Sequence, residues 1–460
     1  MTGRGVDGDY VAEFFGACHG SDLMEWFPEV GATWWRNGTN WGSVEPERGE
    51  RDHSRLDGIA ERADENDVKL LPILGFVAPW ASEAPEGAEH PNRYPPREET
   101  VPEWRDYVEE TVERYPQVEC FEVWNEPNID HFLKADYRAY VDRILKPAAE
   151  VLHDHGKKVV APSFTLEWPT HHEGHPDRPS SWSVSADVRS VDAWLEYGDA
   201  WRHVDYLSVH YLKGDTDKTE FAFADNLLPF YDHVYHNYVE PGKLDGIWNT
   251  EEGLTAVEAG EGGDFVAMEP WERPPYAQWV ARYTVPVLHW AVEHDWDEPH
   301  DYKVFWYHMA HDTGDVLKGT DLLKREDGEV VLSDVGRALR TLTGELTGHD
   351  RVATHPGEVA AGFGVTGDAR AYEFKSYGFD LDGDAWVAFW PDLPGITLAE
   401  PEDVPIQARV EGLDAVSDVA VVDYLTGEGT DPLGYEFDDG RLDVDVPRTD
   451  DPVVYLRVEQ

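Results

Sequence analysis

Two glutamates stand where short apolar runs end, and their chemistry could be linked. Glu126 follows Asn125 directly after the run 118–124, and Glu251 follows the β-rich run 246–250. A pair of carboxyl groups can cleave a glycosidic bond, because one protonates the leaving oxygen while the other attacks the anomeric carbon. A neighbouring amide can hold a sugar hydroxyl. The pattern therefore predicts Glu126 and Glu251 as catalytic residues, with Asn125 binding the substrate.

Eight strand-like runs alternate with helix-like segments from residue 11 to about residue 345. The predicted strands are residues 11–17, 32–36, 69–76, 119–124, 158–162, 204–211, 246–250 and 303–307. Such an alternation predicts a (β/α)8 TIM barrel, in which the carboxyl-terminal ends of all strands open on one mouth. Glu126 and Glu251 each lie at such a strand end, so this fold would bring them together.

Beyond a predicted helix over residues 333–346, the pattern changes to short strands separated by Gly, Asp and Pro. The strand-like segments are residues 371–375, 385–390, 406–410, 419–424, 442–446 and 453–458. Helical periodicity disappears here, which favours a β-sandwich. We therefore predict a catalytic barrel over residues 1–346 and an accessory β-sandwich over residues 347–460. Trp386 and Trp390 are expected to be core aromatic residues on one strand face.

The residues around the two glutamates match known motifs. The segment W-N-E-P-N from residue 124 resembles the acid/base motif of the retaining glycoside hydrolases of clan A. The segment T-E-E-G from residue 250 resembles their nucleophile motif at the end of the seventh strand. The pattern is nearest to glycoside hydrolase family 39, with family 5 next. This resemblance implies double displacement, with Glu251 as nucleophile and Glu126 as acid/base, and it implies neither a metal nor another cofactor.

The nucleophile motif contains two adjacent glutamates in this chain. Side chains alternate along a strand, so only one of Glu251 and Glu252 should face the barrel axis. The register of the T-E-x-G motif selects Glu251. Family members usually carry an aromatic residue in the place of Glu252, so the chain departs from the pattern at this position.

The resemblance also implies substrate contacts at other strand ends. Arg36, at the end of the second predicted strand, would keep the nucleophile ionised, and a structural salt bridge is the alternative. His210 would bond to the carboxylates or the sugar, or else be a satisfied core histidine. The other implied substrate-binding residues are Tyr211, Trp306, Trp80 and Trp168. Aromatic faces suit the apolar faces of sugar rings, but many of the 19 tryptophans must be core residues.

A histidine-rich segment, H-H-E-G-H from residue 171, has the residue types of a metal site. Metal motifs of this kind need a helix, on which the histidines share one face. Pro169 and Pro176 bracket the segment and predict a loop instead. We therefore predict a solvated or substrate-facing loop and no metal site.

Acidic residues dominate the composition. The chain has 93 acidic and 38 basic residues, for a formal net charge of −55. The acidic residues are spread along the whole length, which resembles haloarchaeal proteins, whereas an acidic face for a basic partner would require clustering. No basic patch exists to neutralise phosphates, so the sequence excludes nucleic acid as a partner.

The expected location follows from apolar patterning and cysteine usage. Residues 1–10 contain no apolar export core, and no run approaches the roughly 20 apolar residues of a membrane span. Cys18 and Cys120 lie in or beside apolar runs, which favours buried free thiols over a disulfide. We expect a protein of a salt-rich cytoplasm that acts on an oligosaccharide or glycoside small enough to be imported.

Three functions are compatible with these residues. The favoured one is a retaining glycosidase with an exo-acting, β-xylosidase-like activity on plant-type oligosaccharides. An endo-acting β-glycanase or cellulase of the family 5 type is the enzymatic alternative. A non-catalytic, sugar-binding barrel is the alternative of another class, although it leaves the presence of both carboxylates unexplained.

The net charge leads to a prediction about salt. We expect the melting temperature to rise as KCl increases from low to molar concentration, because the Debye length falls to about 3 Å in molar salt and the repulsion within the chain is screened. Thermal melts followed by circular dichroism in a KCl series measure this effect. A melting temperature that stays flat or falls with KCl would contradict the halophilic interpretation.

Overall fold

A closed barrel of eight parallel strands is the centre of the molecule. The computed structural model describes residues 5–166, 184–214, 223–255, 257–259, 265–267, 277–294, 296–310, 321–363, 374–391, 406–447 and 453–460. The barrel strands are β1 (Phe15–Cys18), β2 (Trp34–Asn40), β3 (Lys69–Gly75), β4 (Cys120–Val123), β5 (Lys158–Thr165), β6 (Tyr206–Gly214), β7 (Gly246–Thr255) and β8 (Asp301–Trp306). Each strand pairs with the next in parallel, and β8 closes the ring on β1. The predicted TIM barrel is confirmed.

Helices connect the strands, as the alternation predicts. The α-helices are Gly8–Ala12, Trp41–Val44, Ser54–Glu65, Val101–Arg114, Tyr137–Tyr140, Lys146–Asp154, Val184–Glu196, Phe223–Val234, Ala277–Glu293 and Asp334–Leu346. The π-helical turns are Val141–Leu145 and Tyr235–Val239, and the 3-10 helices are Met24–Trp26, Pro28–Val30, Pro91–Arg93, Glu98–Thr100 and Tyr197–His203. Apolar faces explain the packing, since Val101–Arg114 buries Trp104, Tyr107 and Val108. In the part of the chain that the structure describes, no helix is long and apolar enough to cross a membrane.

The first predicted strand, residues 11–17, is wrong at its start. Gly8–Ala12 is helical, and β1 begins only beyond this helix. The side chain of Asp7 caps the helix by accepting a hydrogen bond from the backbone N–H of Asp9 at 3.0 Å. Val11 is fully buried, so its apolar character reflects the packing of a short helix and not of a strand.

Two antiparallel sheets accompany the barrel and agree with the predicted β-sandwich. The first sheet has seven strands, in the order Gly5–Asp7, Arg351–Thr354, Phe374–Leu381, Asp384–Pro391, Val454–Glu459, Asp418–Val422 and Gly429–Thr430. The second has four strands, in the order Val359–Phe363, Ile406–Glu411, Arg441–Val446 and Gly434–Asp438. Two separate hairpins pair Val257–Ala259 with Phe265–Ala267 and Leu323–Glu326 with Glu329–Leu332. The division between domains at residue 346 stays a prediction.

The amino-terminal strand belongs to the first sheet. Gly5–Asp7 pairs with Arg351–Thr354, so this sheet contains segments from both sides of the barrel sequence. The strand has only three residues, too few to show the alternation that identifies a strand in a sequence. Pairing with a distant segment defines it.

One strand of the first sheet faces two cores. In Asp384–Pro391, the side chains of Val387 and Phe389 join the core of the sandwich, whereas Trp386 and Trp390 join the core shared with the barrel. Trp386 is 1% and Trp390 is 4% exposed, which confirms both as core aromatic residues on one strand face. The burial of these two tryptophan side chains packs the sheet against the barrel.

Aromatic side chains fill the barrel near the amino-terminal ends of its strands. Trp34, Tyr206 and Trp248 belong to one buried cluster, in which the rings of Tyr206 and Trp248 stack with centroids 4.7 Å apart. Cys18 and Cys120 are in the same cluster, and both are free and buried as predicted. The packed interior closes this end, so chemistry belongs to the carboxyl-terminal mouth.

Gly16 on β1 provides a test of this packing. A Cβ atom added at Gly16 would lie 2.5 Å from Cδ1 of Phe305. We expect Gly16→Ala to lower the free energy of unfolding by about 1–3 kcal/mol, because overpacking strains a filled interior. Denaturant unfolding in molar KCl measures this change. Gly362→Ala is the matched control, since Gly362 also lies in a strand but an added Cβ meets nothing within 4 Å. Equal losses in both variants would contradict the packing explanation.

Candidate active site

The structure places Glu126 and Glu251 side by side at the carboxyl-terminal mouth of the barrel. Glu126 lies just beyond β4, and Glu251 lies in β7. One oxygen of each carboxylate and a ring nitrogen of His210 all lie within 4.8 Å of one another. Glu126 is 6% and Glu251 is 7% exposed, so both carboxylates are nearly enclosed but not sealed from solvent. The two strand ends that the sequence singles out are therefore brought together.

A strained turn presents Glu126. Trp124 and Glu126 have φ angles of 74° and 42°, in the left-handed region that non-glycine residues avoid. Such conformations cost on the order of 1–3 kcal/mol each and persist only where the surroundings fix them. Asn128 fixes this turn, because its amide donates to the carbonyl of Thr165 at 2.9 Å and accepts from the N–H of Thr165 at 3.1 Å. The motif around Glu126 therefore determines the backbone conformation of this turn and also supplies the carboxyl group.

An extra residue in β7 decides which glutamate faces the pocket. Trp248 points into the barrel, so strict alternation would also place Thr250 and Glu252 inside. However, the pairing of β7 with both neighbouring strands shifts register just after Asn249. This β-bulge turns Thr250 and Glu251 toward the interior and Glu252 away from it.

Glu252 lies behind the strand, away from the pocket. It is completely buried against the helix Ala277–Glu293, where it accepts hydrogen bonds from the amide of Asn249 at 2.9 Å and the hydroxyl of Thr284 at 3.0 Å. Burial raises the pKa of Glu252 to about 8 and outweighs these two bonds, which favour the charged form. Glu252 is thus mostly neutral at pH 7 and takes no part in the pocket.

Arg36 is the centre of the hydrogen-bond network. It lies on β2, is 2% exposed, and donates from Nη1 to Oε1 of Glu251 at 2.6 Å. Nη2 donates to Oδ1 of Asn125 at 2.8 Å. Nε and Nη2 together grip the carboxylate of Glu122, with Nη2 at 2.9 Å from Oε1. Burial opposes the charge of Arg36, but Glu122 and Glu251 hold its pKa well above the usual value, so the cation is permanent.

Glu122 is a third carboxylate of this network, and the motifs did not identify it. It lies in β4 and is completely buried. Besides Arg36, three hydroxyl groups donate to its carboxylate, those of Ser163, Thr250 at 3.2 Å and Ser208 at 3.3 Å. Burial favours the neutral form, but Arg36 and then His210 lower the pKa of Glu122 to about 2. An acidic residue inside an apolar strand is the sequence signal that could have revealed it.

His210 on β6 links the carboxylates. Its Nδ1 lies 2.9 Å from Oε1 of Glu126 and 3.6 Å from Oε2 of Glu251. Its Nε2 lies 3.0 Å from Nη2 of Arg36, whose charge disfavours a second ring proton, and 3.7 Å from Oε1 of Glu122, whose charge favours that proton. Burial also favours the neutral ring, but the carboxylates, first that of Glu251, outweigh both and raise the pKa of His210 to about 9. His210 therefore carries a proton on Nδ1 and donates it to Glu126.

The structure does not bring Tyr211 and Trp306 to the pocket. They are 1% and 2% exposed, and both belong to the core outside the barrel strands. Alternation explains this, because their neighbours His210 and Tyr307 point inward. Tyr307 packs against the buried cluster inside the barrel, and burial and then the charge of Glu251 raise its pKa. Tyr307 thus lies where Trp306 was predicted.

Trp80 lies half-buried beyond β3. Its indole N–H donates to the carbonyl of Glu45 at 3.0 Å, and its ring packs edge-on against Trp41 with centroids 5.3 Å apart. The guanidinium of Arg48 lies 5.4 Å from the centre of the same ring. These contacts fix the ring to the loop after β2, and its contact with sugar stays a prediction. Trp168 and the histidine-rich segment from residue 171 lie outside the described residues.

Polar residues beyond β1 extend the site on the side of Tyr307. Nδ1 of His19 lies 3.0 Å from Nδ2 of Asn37. The ring of His19 lies 5.4 Å from that of Tyr307 and 5.3 Å from that of His308. None of these residues was predicted, although the position of His19 directly after an apolar strand is a signal that could have revealed it.

Two groups of described residues bring three potential metal ligands together. One is exposed and consists of Glu109, Glu113 and His155, and the other is the buried group of Glu126, His210 and Glu251. In the buried group, Arg36 donates to Glu251 and His210 donates to Glu126. Each donor binds one oxygen of its carboxylate, an arrangement that fits proton transfer and charge stabilisation.

The chain matches no family model and no curated protein, but it is similar to solved structures over nearly its whole length. A family 39 glycoside hydrolase from Bacteroides cellulosilyticus has a TM-score of 0.64 and 16% identity, covering 99% of this chain and 82% of that chain. A family 30 endoxylanase from Clostridium papyrosolvens has a TM-score of 0.58 and 11% identity, covering 100% and 98%. A glucosidase from Croceicoccus marinus has a TM-score of 0.57 and 12% identity, covering 97% and 96%. At these identities the similarity is one of fold.

Replacing Glu252 by Gln tests the burial of this carboxyl group. Its folded-state pKa of about 8 lies above the usual value of 4.5, so the native state binds more protons and stability falls as the pH rises between these values. Gln cannot ionise, so Glu252→Gln should lack this contribution and be more stable than the wild type near pH 9, by on the order of 5 kcal/mol. Urea unfolding in molar KCl from about pH 5 to about pH 9 measures the difference.

Glu89→Gln is the control for this experiment. The side chain of Glu89 is 89% exposed, so this variant should follow the pH dependence of the wild type. Parallel pH dependences in the wild type and Glu252→Gln would show that the carboxyl group is ionised in the native state at neutral pH.

Proposed function

We propose that this protein is a retaining glycoside hydrolase that cleaves β-glycosidic bonds. The observation that carries the proposal is the pair of Glu126 and Glu251, in which one carboxylate oxygen of Glu126 lies within 4.8 Å of one carboxylate oxygen of Glu251. Retaining enzymes have carboxyl groups about 5–5.5 Å apart, whereas inverting enzymes need about 6.5–9.5 Å to admit a water. The similar folds of proteins named as a family 39 glycoside hydrolase, an endoxylanase and a glucosidase support the same class.

In the first step, Glu251 attacks the anomeric carbon. Arg36 holds only Oε1 of Glu251, which leaves Oε2 to form the new bond. As this bond forms, the bond from the anomeric carbon to the leaving oxygen breaks, and protonated Glu126 gives its proton to that oxygen. The result is a glycosyl ester on Glu251, with inverted configuration at the anomeric carbon.

In the second step, Glu126 is a carboxylate and takes a proton from water. The water oxygen attacks the anomeric carbon, the ester bond breaks and Glu251 leaves, which restores the original configuration. His210 donates to Glu126 at 2.9 Å and stabilises its carboxylate between the two steps. Arg36 fixes the amide oxygen of Asn125, which leaves the amide N–H groups of Asn125 to bind the sugar 2-hydroxyl.

Within this class, we propose an exo-acting, β-xylosidase-like activity on plant-type oligosaccharides. The motif resemblance to family 39 and the similarity to a family 39 glycoside hydrolase support it. The similarity to an endoxylanase supports endo-action as the alternative. A screen of nitrophenyl glycosides in molar KCl, followed by product analysis on xylo-oligosaccharides, separates the candidates. Release of single xylose units indicates exo-action, products of mixed length indicate endo-action, and binding without turnover indicates a sugar-binding barrel.

The working environment is a further part of the proposal. The net charge of −55 supports a salt-rich cytoplasm, in which dissolved ions screen the repulsion. A substrate small enough to be imported follows from that location. Comparing turnover of one nitrophenyl glycoside in low and molar KCl tests the salt requirement, and a loss of activity at molar KCl would contradict it.

Alanine variants separate the roles of the two glutamates. Glu251→Ala should turn over no glycoside, because no other group forms the covalent intermediate. Glu126→Ala should cleave natural sugar leaving groups about 10²–10⁴-fold more slowly, while a nitrophenyl group of low pKa still departs without a proton. Steady-state kinetics on both kinds of substrate measure the difference. Glu252→Gln is the matched control and should keep wild-type turnover, since this glutamate faces away from the pocket.

Azide reports which face of the sugar each carboxylate serves. Azide needs no general base, so it should convert the glycosyl ester of Glu126→Ala into a β-glycosyl azide. In Glu251→Ala it should replace the missing nucleophile and yield the α-anomer. Product configuration is read by nuclear magnetic resonance. Reversed anomers would exchange the two assignments, and full activity in both variants would place the site elsewhere.

A further inference from the structure

We infer that Glu122 is a positioning residue for the nucleophile: it fixes Arg36 so that the guanidinium binds Glu251 through a single nitrogen. The inference rests on the proposed function, because it concerns the reactivity of Glu251. Glu122 is completely buried, so it does not reach the sugar and acts only through its neighbours. The site then has three carboxylates with separate roles, and one of them never meets the substrate.

Glu122 is itself held from several strands. Arg36 binds it from β2, and donors on β5, β6 and β7 complete its contacts, namely Ser163, Ser208 and Thr250. A carboxylate with this many donors has one orientation, which it imposes on the guanidinium that it grips through two nitrogens. An apolar residue would fill the same space without the cost of burying a charge. The charge of Glu122 therefore indicates a role beyond packing.

The hydrogen bonds between Glu122 and Arg36 determine how Arg36 binds Glu251. Nε and Nη2 of Arg36 bind Glu122, and Nη2 also binds Asn125, so only Nη1 remains for Glu251. Glu251 is held at Oε1, while its Oε2 lies 3.6 Å from Nδ1 of His210, beyond hydrogen-bond distance. Without Glu122, the guanidinium could form the two-pronged pair that arginine and carboxylate favour. That pair would engage both oxygens of Glu251 and leave none for the anomeric carbon.

Charge balance gives Glu122 a second effect. When Glu126 carries its proton, the carboxylates of Glu122 and Glu251 match the two cations of Arg36 and protonated His210. Two further titratable groups near Glu122, Tyr140 and Cys18, are neutral, since burial raises the pKa of both. Removal of Glu122 would therefore leave an excess positive charge beside the group that must hold a proton in the first step.

The isosteric variant Glu122→Gln tests the inference, with nitrophenyl glycosides as substrates in molar KCl. We expect kcat to fall about 10²-fold, the effect of a misplaced reacting group, and KM to change less than about threefold because no sugar contact is lost. The bell-shaped pH profile of kcat/KM should shift toward lower pH, since a negative charge leaves the cluster. Unchanged kcat with an unchanged pH profile would overturn the inference.

Two further variants test whether the effect of Glu122→Gln comes from the lost charge, from a displaced side chain or from a change at any buried glutamate. Glu122→Asp keeps the charge but shortens the side chain, so kcat should fall while the pH profile stays in place. Glu252→Gln makes the same substitution at an equally buried glutamate that is mostly neutral and faces away from the pocket, so kcat and the pH profile should remain those of the wild type. If Glu122→Gln does not fold, Glu122→Asp decides, and wild-type kcat in that variant would overturn the inference.

A measurement without substrate keeps the inference separate from the proposed function. Nuclear magnetic resonance of the histidine ring protons follows the titration of His210, identified by its absence in His210→Gln. This titration should move to lower pH in Glu122→Gln, because Glu122 faces the ring at 3.7 Å. An inactive wild type that shows the shift would refute the proposed function and leave the network supported. An active wild type with neither the shift nor a loss of kcat would overturn the inference alone.

Discussion

The guanidinium of Arg36 makes it possible to bury several carboxylates in one place. Glu122 and Glu251 bind it directly, and the amide of Asn125 is held by it as well. Without a fixed cation, each buried carboxylate would tend to take up a proton, because an interior of low polarity disfavours charge. The strands β2, β4, β6 and β7 meet at the mouth of the barrel, where the guanidinium of Arg36 lies among carboxylates. The main electrostatic result is therefore a permanent cation that stabilises these buried acidic groups.

Electrostatics acts in opposite ways at the surface and in the site. At the surface, the net charge of −55 is repulsive, and the repulsion depends on the ions in solution. In the site, opposite charges lie within hydrogen-bond distance and are shielded from solvent, so salt screens them little. Concentrated salt can thus relieve the surface without weakening the contacts that orient Glu251.

Strand periodicity and motif spacing predicted the barrel and the meeting of Glu126 with Glu251, because both are local properties of the sequence. The side to which Tyr211 and Trp306 point could not be predicted in this way, since a strand-like run shows that side chains alternate but not which of two neighbours at its end faces the barrel interior. Glu122 could not be identified from the sequence for a related reason. Its role depends on contacts with four other strands, and no short motif records them.

The strand Gly5–Asp7 is synthesised before the barrel, whereas its partner Arg351–Thr354 is synthesised only after the whole barrel sequence. During synthesis this segment therefore has no partner strand until the barrel sequence has been made, and three residues cannot form a stable strand alone. The same sheet also needs Val454–Glu459, an interior strand that is made after the other strands of the sheet. The sheet can therefore be completed only after the barrel sequence has been synthesised, and it joins segments that are made before and after the barrel.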